Sequence, residues 1–513
     1  MSRSVRRGRQ ARQEAPPAAP AVWPGVRGGR YRPLSRADEQ QFHRTILDVL
    51  ENIGMADPIP MVKERALKRG CFMNAQDRLC FPRSLVEDVI ANTPKDIRFL
   101  GRDPKHDLEI GGNRVHTYGG GEAVNMLDIG AMKYRPSTLA DLYDAARLVD
   151  RMDNIHAFSR LVVPTEVVDQ LACDISVAYT NVAGTTKHSA LTFNDVSHVQ
   201  PTLEMLQMIA GGEKKWRERP FAHGGGCCVL SPLRYGRDNS EVCVESIRFG
   251  APVWVVMAPQ AGATAPAALA GSVVQSVAEA LAGLLMIDMV EPGFPVIVGA
   301  WPFVSDLRTG AFTGGSGEEA VVTAGAAQML NFYGVPSSVG AGMTDAKLPD
   351  CQAGYEKALT VALAAHTGCN NVSESAGMLG SLMALSLEAM VIDNDMLGAV
   401  LRTVRGIEVN EETLSYHVIE QVVNGEGHYL RAEQTLALMR TEYEYPALAD
   451  RRTPGEWEFA GSPDIRKLAG QRVKSILSTH YPEYIDPAID AKIREIFPIL
   501  LPRETMNAAS GRW

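Results

Sequence analysis

PVWVVMA occupies residues 252–258 and PVIVGA residues 295–300. Each is an unbroken apolar run opened by proline and closed by small residues, the pattern of a strand buried on both faces. Between them Ala265–Val290 carries a long helical pattern. Working outward, the same unit recurs at Val115–Gly119, Ile155–Val163, His188–Phe193 and Phe221–Cys228 on one side, and at Ser337–Met343 and Asn370–Ala376 on the other. The spacing is about thirty to forty residues, what one strand, one helix and two loops consume. Eight such units close a parallel sheet, so the sequence predicts an α/β fold, a TIM (β/α)8 barrel over residues 113–400. Barrels of this kind place their chemistry at the C-terminal ends of the strands, which shortens the search for functional residues.

The flanks read differently. MSRSVRRGRQARQ opens the chain, and Pro, Ala and Gly follow. It has no apolar core for a secretory signal, so residues 1–33 are expected to be a disordered basic tail, or a transit peptide if the source is a eukaryote. Residues 34–112 are expected to form a small helical region. Ser35 caps a first helix whose Phe42, Ile46, Leu47, Leu50 and Ile53 recur at helical spacing, and Gly54 ends it. Within the barrel, Ser137-Thr138, Gly315–Glu319 and Pro349-Asp350 carry helix-start chemistry. A last barrel helix is expected over Leu379–Ile392, and residues 401–513 as a helical extension.

The 513 residues, 45% hydrophobic and 22% charged with a net charge of −9, suit a globular protein and argue against a nucleic-acid surface. The Ala265–Val290 stretch is broken by Gly271, Ser272, Gln275, Ser276 and Glu279, so it reads as a buried helix and no membrane partner is expected. Eight cysteines without a C-x-x-C pair suggest a reducing, cytoplasmic setting. Gly119–Gly121 and Gly224–Gly226 lack the spacing of a phosphate loop and instead suit close backbone approach.

Several blocks are compositionally unusual: SPL at Ser231–Leu233, MAPQAGATAPAALAGSVVQSVAE at Met257–Glu279, EPGFPVIVGA at Glu291–Ala300, DLRTGAFTGGSGEEA at Asp306–Ala320 and GMTDAKLPDCQAGYEKA at Gly342–Ala358. In order and spacing the chain resembles the trimethylamine methyltransferase family of corrinoid-dependent methyltransferases. The resemblance implies a barrel that moves a methyl group from a methylated amine to the cobalt of a corrinoid (cobalamin-type) carried on a small partner protein. It implies no tightly bound cofactor and suggests a homo-oligomer. Members using trimethylamine contain pyrrolysine. This chain is written in the standard twenty residues and so resembles the branch that includes glycine betaine methyltransferases.

A quaternary ammonium leaves as a neutral amine, so no proton need be delivered. The protein must hold a cation, aim a methyl group and exclude water. Aromatic faces and carboxylates suit that cation. The candidates at strand ends are Glu122, Asp345 and Glu374 as catalytic acids, with Tyr118, Trp301, Phe303 and Tyr355 as substrate-binding aromatics. Trp301 also reads as a loop anchor, Asp345 as a cap or a partner of Lys347, and Tyr355 as a packing residue. A betaine carboxylate would need a donor, for which Lys347, Arg308 and Gln260 are open choices.

Two competing readings remain. His223–Cys228 ends a strand and resembles the cysteine pair of zinc-dependent homocysteine methyltransferases, with His223 or Cys173 as a third ligand. Adjacent strand residues point to opposite faces, so buried structural cysteines are favoured and no metal is expected. His116, His156, His188 and His366 read as core histidines, and Met378, Met383, Met390 and Met396 as helix packing. A barrel that binds quaternary amines without catalysis would show the same cage.

Overall fold

The structure, a computed structural model, describes residues 20–513. The basic tail expected over residues 1–33 falls on residues 1–19, outside the described residues, and on an ordered stretch beyond them. Val26–Arg27 (β1) pairs antiparallel with Arg114–Thr117 (β2), and Val26 is buried. Part of the stretch expected as tail is thus tied to the sheet, with Val26 buried opposite Val115 and the Gly25 and Gly28 N–H groups donating to the Val115 and Asn113 carbonyls.

The remaining strands of the central sheet are Ser189–Ala190 (β3), Ala222–Gly226 (β4), Val253–Met257 (β5), Val296–Ala300 (β6), Ser337–Gly340 (β7) and Asn371–Ser373 (β8). Their order is β1-β2-β8-β7-β6-β5-β4-β3, and every pair except β1–β2 is parallel. The PVWVVMA and PVIVGA runs lie side by side from Val253↔Val296 to Met257↔Ala300.

The run at 155–163, expected as a full strand, forms only single parallel bridges: Ala157 to Tyr118, Phe158 to Ser189 and Val162 to Ala123. Side chains replace part of its ladder. His156 Nδ1 accepts the Thr117 N–H at 3.1 Å, and Ser159 Oγ donates to the Gly119 carbonyl at 2.7 Å. These bonds satisfy β2 backbone groups that a regular strand would have paired.

Helices alternate with the strands. In chain order these are Arg36–Asp48 (α1), Pro60–Lys68 (α2), Arg83–Asn92 (α3), Leu139–Asp150 (α4), Gln170–Gly184 (α5), Val199–Ala210 (α6), Arg237–Arg248 (α7), Leu269–Val290 (α8), Gly317–Tyr333 (α9), Cys351–Thr367 (α10) and Leu387–Arg405 (α11). Reciprocal capping boxes start α1 at Ser35–Asp38 and α4 at Thr138–Asp141. Helix α8 is long and apolar enough to cross a membrane, but it is largely buried inside the protein. It packs between Val253, Val255, Val296 and Val298 of the sheet and Ile46, Leu50 and Val62 of the N-terminal helices. Its Glu279 is satisfied by Ser231 Oγ, the Leu233 N–H and Gln275 Nε2.

The N-terminal region holds short strands as well as helices, at Leu79–Cys80 and Leu108–Gly111 among others. Asp96–Phe99 and Leu108–Gly111 form an antiparallel hairpin, whose Phe99, Leu108 and Ile110 pack with Tyr118, Ala157, Trp254 and Ile297. Phe99 also stacks on His188 and His223 at 4.2 and 4.6 Å. The helix expected over Leu379–Ile392 starts later. Met378–Leu379 and Ala384–Leu385 make a small hairpin, with Gly377, Gly380, Ser381 and Leu382 at positive φ, before α11 begins at Leu387.

The C-terminal extension divides. Residues 406–445 group with the described residues 20–23 in a unit separate from the sheet, with helices Tyr416–Val423 and Glu433–Leu438 joined by a Ser415 Oγ–Gln434 hydrogen bond of 2.9 Å. Residues 446–513 belong with the sheet. There Arg147, fully buried on α4, pairs with Asp144 at 2.9 Å and donates to the carbonyls of Leu477 and His480. Behind the sheet, Lys357 of α10 meets Asp393 of α11 at 2.5 Å, both side chains nearly sealed from solvent, and Asp393 also accepts the Gly377 N–H at 2.7 Å.

Candidate active site

Strand β2 runs out into Gly119-Gly120-Gly121, and β8 into Glu374 and Ser375. The two ends are tied together: the Tyr118 N–H donates to the Val372 carbonyl and the Ser375 N–H to the Tyr118 carbonyl, both at 3.0 Å. The glycines leave space for a carboxyl group. A Cβ at Gly120 would stand 2.7 Å from Glu374 Oε1 and 3.0 Å from Ser159 Oγ, and one at Gly121 would stand 2.8 Å from Glu374 Oε2. Gly120→Ala is expected to displace the Glu374 carboxyl and destabilise the fold by about 1–3 kcal/mol, read as a fall in the unfolding midpoint. An unchanged midpoint would show that the carboxyl moves aside freely.

Glu374 is buried, and its Oε2 has no hydrogen-bond partner. Burial pushes its carboxyl up to about 8, and the nearby Glu122 charge adds to the shift. Glu122 is half-buried and accepts from Thr192 Oγ1 at 2.6 Å. Both glutamates have positive φ, 47° at Glu122 and 62° at Glu374. One carboxyl is thus held neutral near pH 7 beside another that binds a hydroxyl, and a cation placed between them would favour ionisation of the first.

Cys227 follows β4 on the same rim. It reaches solvent, yet protein encloses it closely enough that burial pushes its thiol up to about 11, with Glu122 contributing. Cys228 turns the other way, into the core with Cys243. Among the described residues no three His, Cys, Asp or Glu side chains stand close enough to share a metal ion. Burial pushes the imidazoles of His116 and His188 down to about 4, and those of His156 and His223 down as well.

The aromatic run starts one layer lower. Trp254, Trp301, Phe303 and Phe312 follow one another at centroid distances of 5.4, 6.2 and 4.8 Å. Trp301 Nε1 donates to Ser338 Oγ at 3.2 Å, which fixes the ring. Gly340 lets it lie flat, since a Cβ there would meet the Trp301 and Phe303 rings at 3.0 and 3.2 Å. Gly340 pairs with Ser373, so these rings sit one strand from Glu374. Gln260 is in register with Phe303 and donates to Ser305 Oγ at 2.8 Å.

Trp254 was not among the expected site residues. It is half-buried although it lies within a strand, and its Nε1 has no partner. The signal was available: in PVWVVMA it falls on the face opposite Val253 and Val255.

Other expected residues stand apart from the Glu122–Glu374 pair. Asp345 accepts from the Gly314 N–H and Ser381 Oγ at 2.8 and 2.6 Å. With Glu356, Asp306 and Arg308 it lines a cavity of about 660 Å3. Behind it Glu319 is buried with both oxygens unpartnered, its carboxyl held well above the usual range by burial and by Asp345 and Glu356. Arg308 is exposed and forks onto Asp306 at 2.9 and 2.8 Å. Lys347 is exposed and donates to the Asp345 carbonyl at 2.6 Å. Tyr355, expected as a substrate-binding aromatic, is 62% exposed on α10, because its helix turns that face to solvent.

A mostly parallel α/β sheet thus carries tilted aromatic rings and a pair of carboxyls at its strand ends. The chain belongs to the trimethylamine methyltransferase family, whose sequence profile it matches over residues 3–497. It is 32% identical to a trimethylamine methyltransferase of Desulfitobacterium hafniense over 90% of this chain and 92% of that protein. It is 33% identical to one from Methanosarcina mazei, over 89% and 92%. A glycine betaine methyltransferase of Desulfitobacterium hafniense is 28% identical over 91% of this chain and 96% of its own length.

Proposed function

We propose that this chain takes a methyl group from a quaternary methylated amine and passes it to the Co(I) corrinoid of a separate corrinoid protein. The observation that carries the reading is the aromatic run Trp254–Trp301–Phe303 one strand from a carboxyl held neutral at Glu374. In this reading the sheet closes as a (β/α)8 barrel, with residues 156–158 spanning β2 and β3. The corrinoid supplies a strong nucleophile and accepts the methyl group.

The chain's own residues do the rest. Trp301 and Phe303 offer π-faces to an ammonium that has no N–H to donate. Glu122 gives negative charge at longer range, and Glu374 ionises when the cation arrives. The departing amine is neutral, so neither acid has to give up a proton to it. Gly119–Gly121 and Gly224–Gly226 keep the rim low, which suits the approach of a flat macrocycle. Asp345, with Glu356 and Glu319 around it, shapes the neighbouring rim.

The test is loss of Co(I) absorbance when the enzyme is mixed with a reduced corrinoid protein and a series of quaternary amines. At least one of them is expected to methylate cobalt. Trp301→Ala should weaken its binding about 2- to 30-fold, the share of one aromatic contact. No transfer from any quaternary amine would overturn the proposal.

A further inference from the structure

The unit that holds residues 406–445 carries a surface that methyl transfer leaves unused. Its helices Tyr416–Val423 and Glu433–Leu438 bury no residue. Tyr416, Ile419 and Val423 repeat along one stripe of the first, all exposed, and Leu436 is exposed on the second. Helices this short gain little from their own backbone bonds, so an open apolar stripe on them points to something that covers it. Between them lies a cavity of about 810 Å3, lined by Glu411, Glu412, Glu426 and Glu433 beside Tyr416 and Val422. Glu411, Glu412 and Glu433 have no ion-pair partner among the described residues.

Charge selects the occupant. Residues 406–445 hold eight glutamates against Arg431 and Arg440, a net charge of −6. A second copy of the same surface would set −6 against −6, which repels. Residues 1–19 are the opposite: Arg3, Arg6, Arg7, Arg9 and Arg12 stand against Glu14 alone, with no lysine. Arginine suits this surface, because its stem lies along apolar side chains while its planar head stacks on aromatic faces and forks onto carboxylates. Tyr416, Tyr429, Tyr443 and Tyr445 are all exposed there. The point of attachment fits as well. Residues 20–23, which follow the segment, belong to the same unit, and Ala21 is buried. An extended segment of that length spans up to about 60 Å, several times the roughly 12 Å of the first helix.

We propose that the Arg-rich segment 1–19 docks in the acidic groove between helices Tyr416–Val423 and Glu433–Leu438 of its own chain and covers it. This does not depend on which amine the enzyme takes.

Trypsin, which cuts after arginine, tests it on the full chain, with the released N-terminal peptides followed by mass spectrometry and a synthetic peptide of residues 1–19 as the free reference. At low salt, cleavage after Arg3 to Arg12 in the full chain is expected to be about 10-fold slower than in the peptide, the combined share of several exposed ion pairs. At about 0.5 M salt the two rates should converge, because such pairs are screened. A variant carrying Glu411→Gln, Glu412→Gln, Glu426→Gln and Glu433→Gln, all at exposed positions, should lose most of the protection at low salt. Cleavage of the full chain as fast as the peptide at low salt would overturn the proposal, and needs no variant. Undiminished protection in the variant would overturn it too, since something other than this groove would then hold the segment. Protection that disappears on dilution would assign the groove to the segment of a second copy and overturn docking within one chain.

Discussion

Glu374→Gln is expected to abolish a stability loss that the unaltered protein shows on going from acid to mildly alkaline pH. An exposed glutamate titrates near 4.5, and burial raises Glu374 to about 8. The folded state therefore holds a proton that the unfolded chain has released. The sign follows: this group's contribution is fully present below about 4.5 and is lost as pH rises through about 8. The shift corresponds to a loss on the order of 5 kcal/mol once both states are ionised. Glutamine imitates the protonated acid and carries no such slope. Denaturant unfolding at pH 6, 7, 8 and 9 should show the two proteins diverging, with the variant the more stable at pH 9. Parallel curves would mean that Glu374 titrates normally. A quaternary cation should also bind the unaltered protein more tightly as pH rises through about 8, with release of a proton, and bind the variant without that dependence.

Lys357→Met is the second large effect. Lys357 and Asp393 are 1% and 7% exposed at their side chains, so removing the lysine leaves a buried carboxylate without its counter-charge. Breaking such a pair from one side costs about 3–5 kcal/mol. Asp393 also holds the Gly377 N–H, two residues past Ser375, which binds the Tyr118 carbonyl. The β8 end that carries Glu374 should loosen with it. Lys357→Met combined with Asp393→Asn keeps an acceptor for Gly377 and removes the charge, so it should recover most of the lost stability. Equal destabilisation by the single and double variants would count against the buried charge as the cause. Thermal unfolding of the three proteins distinguishes the cases.

The strands were legible because parallel strands covered on both faces are continuous apolar runs, and PVWVVMA and PVIVGA are that pattern without interruption. Residues 155–163 looked equally strand-like, but nothing in the string IHAFSRLVV shows that His156 and Ser159 take over backbone bonds from their neighbours. Val26 helps tie down what composition marked as tail, since isolated buried residues leave no trace in an average. The place of Glu122 and Glu374 beyond strand ends was legible in the sequence, as was that of Trp301 and Phe303 after the β6 run in GAWPF. Their mutual arrangement was not, because Glu374 lies against Gly120 only when β2 and β8 are neighbours in the sheet. Tyr355 stands on an exposed helix face, and a tyrosine beside a family block carries no mark of which way its helix faces.

The left-handed backbone at Glu122 and Glu374 has a cost that the rest of the protein must carry. A residue with a Cβ is disfavoured there by roughly 1–2 kcal/mol, where asparagine or glycine would sit with less strain. The chain keeps glutamate at both places, so the two acids are held taut by their surroundings rather than by their own preference. Selection for heat tolerance alone would therefore relax these two positions early, and with the roles proposed for these acids a hardier protein obtained that way should be a poorer catalyst.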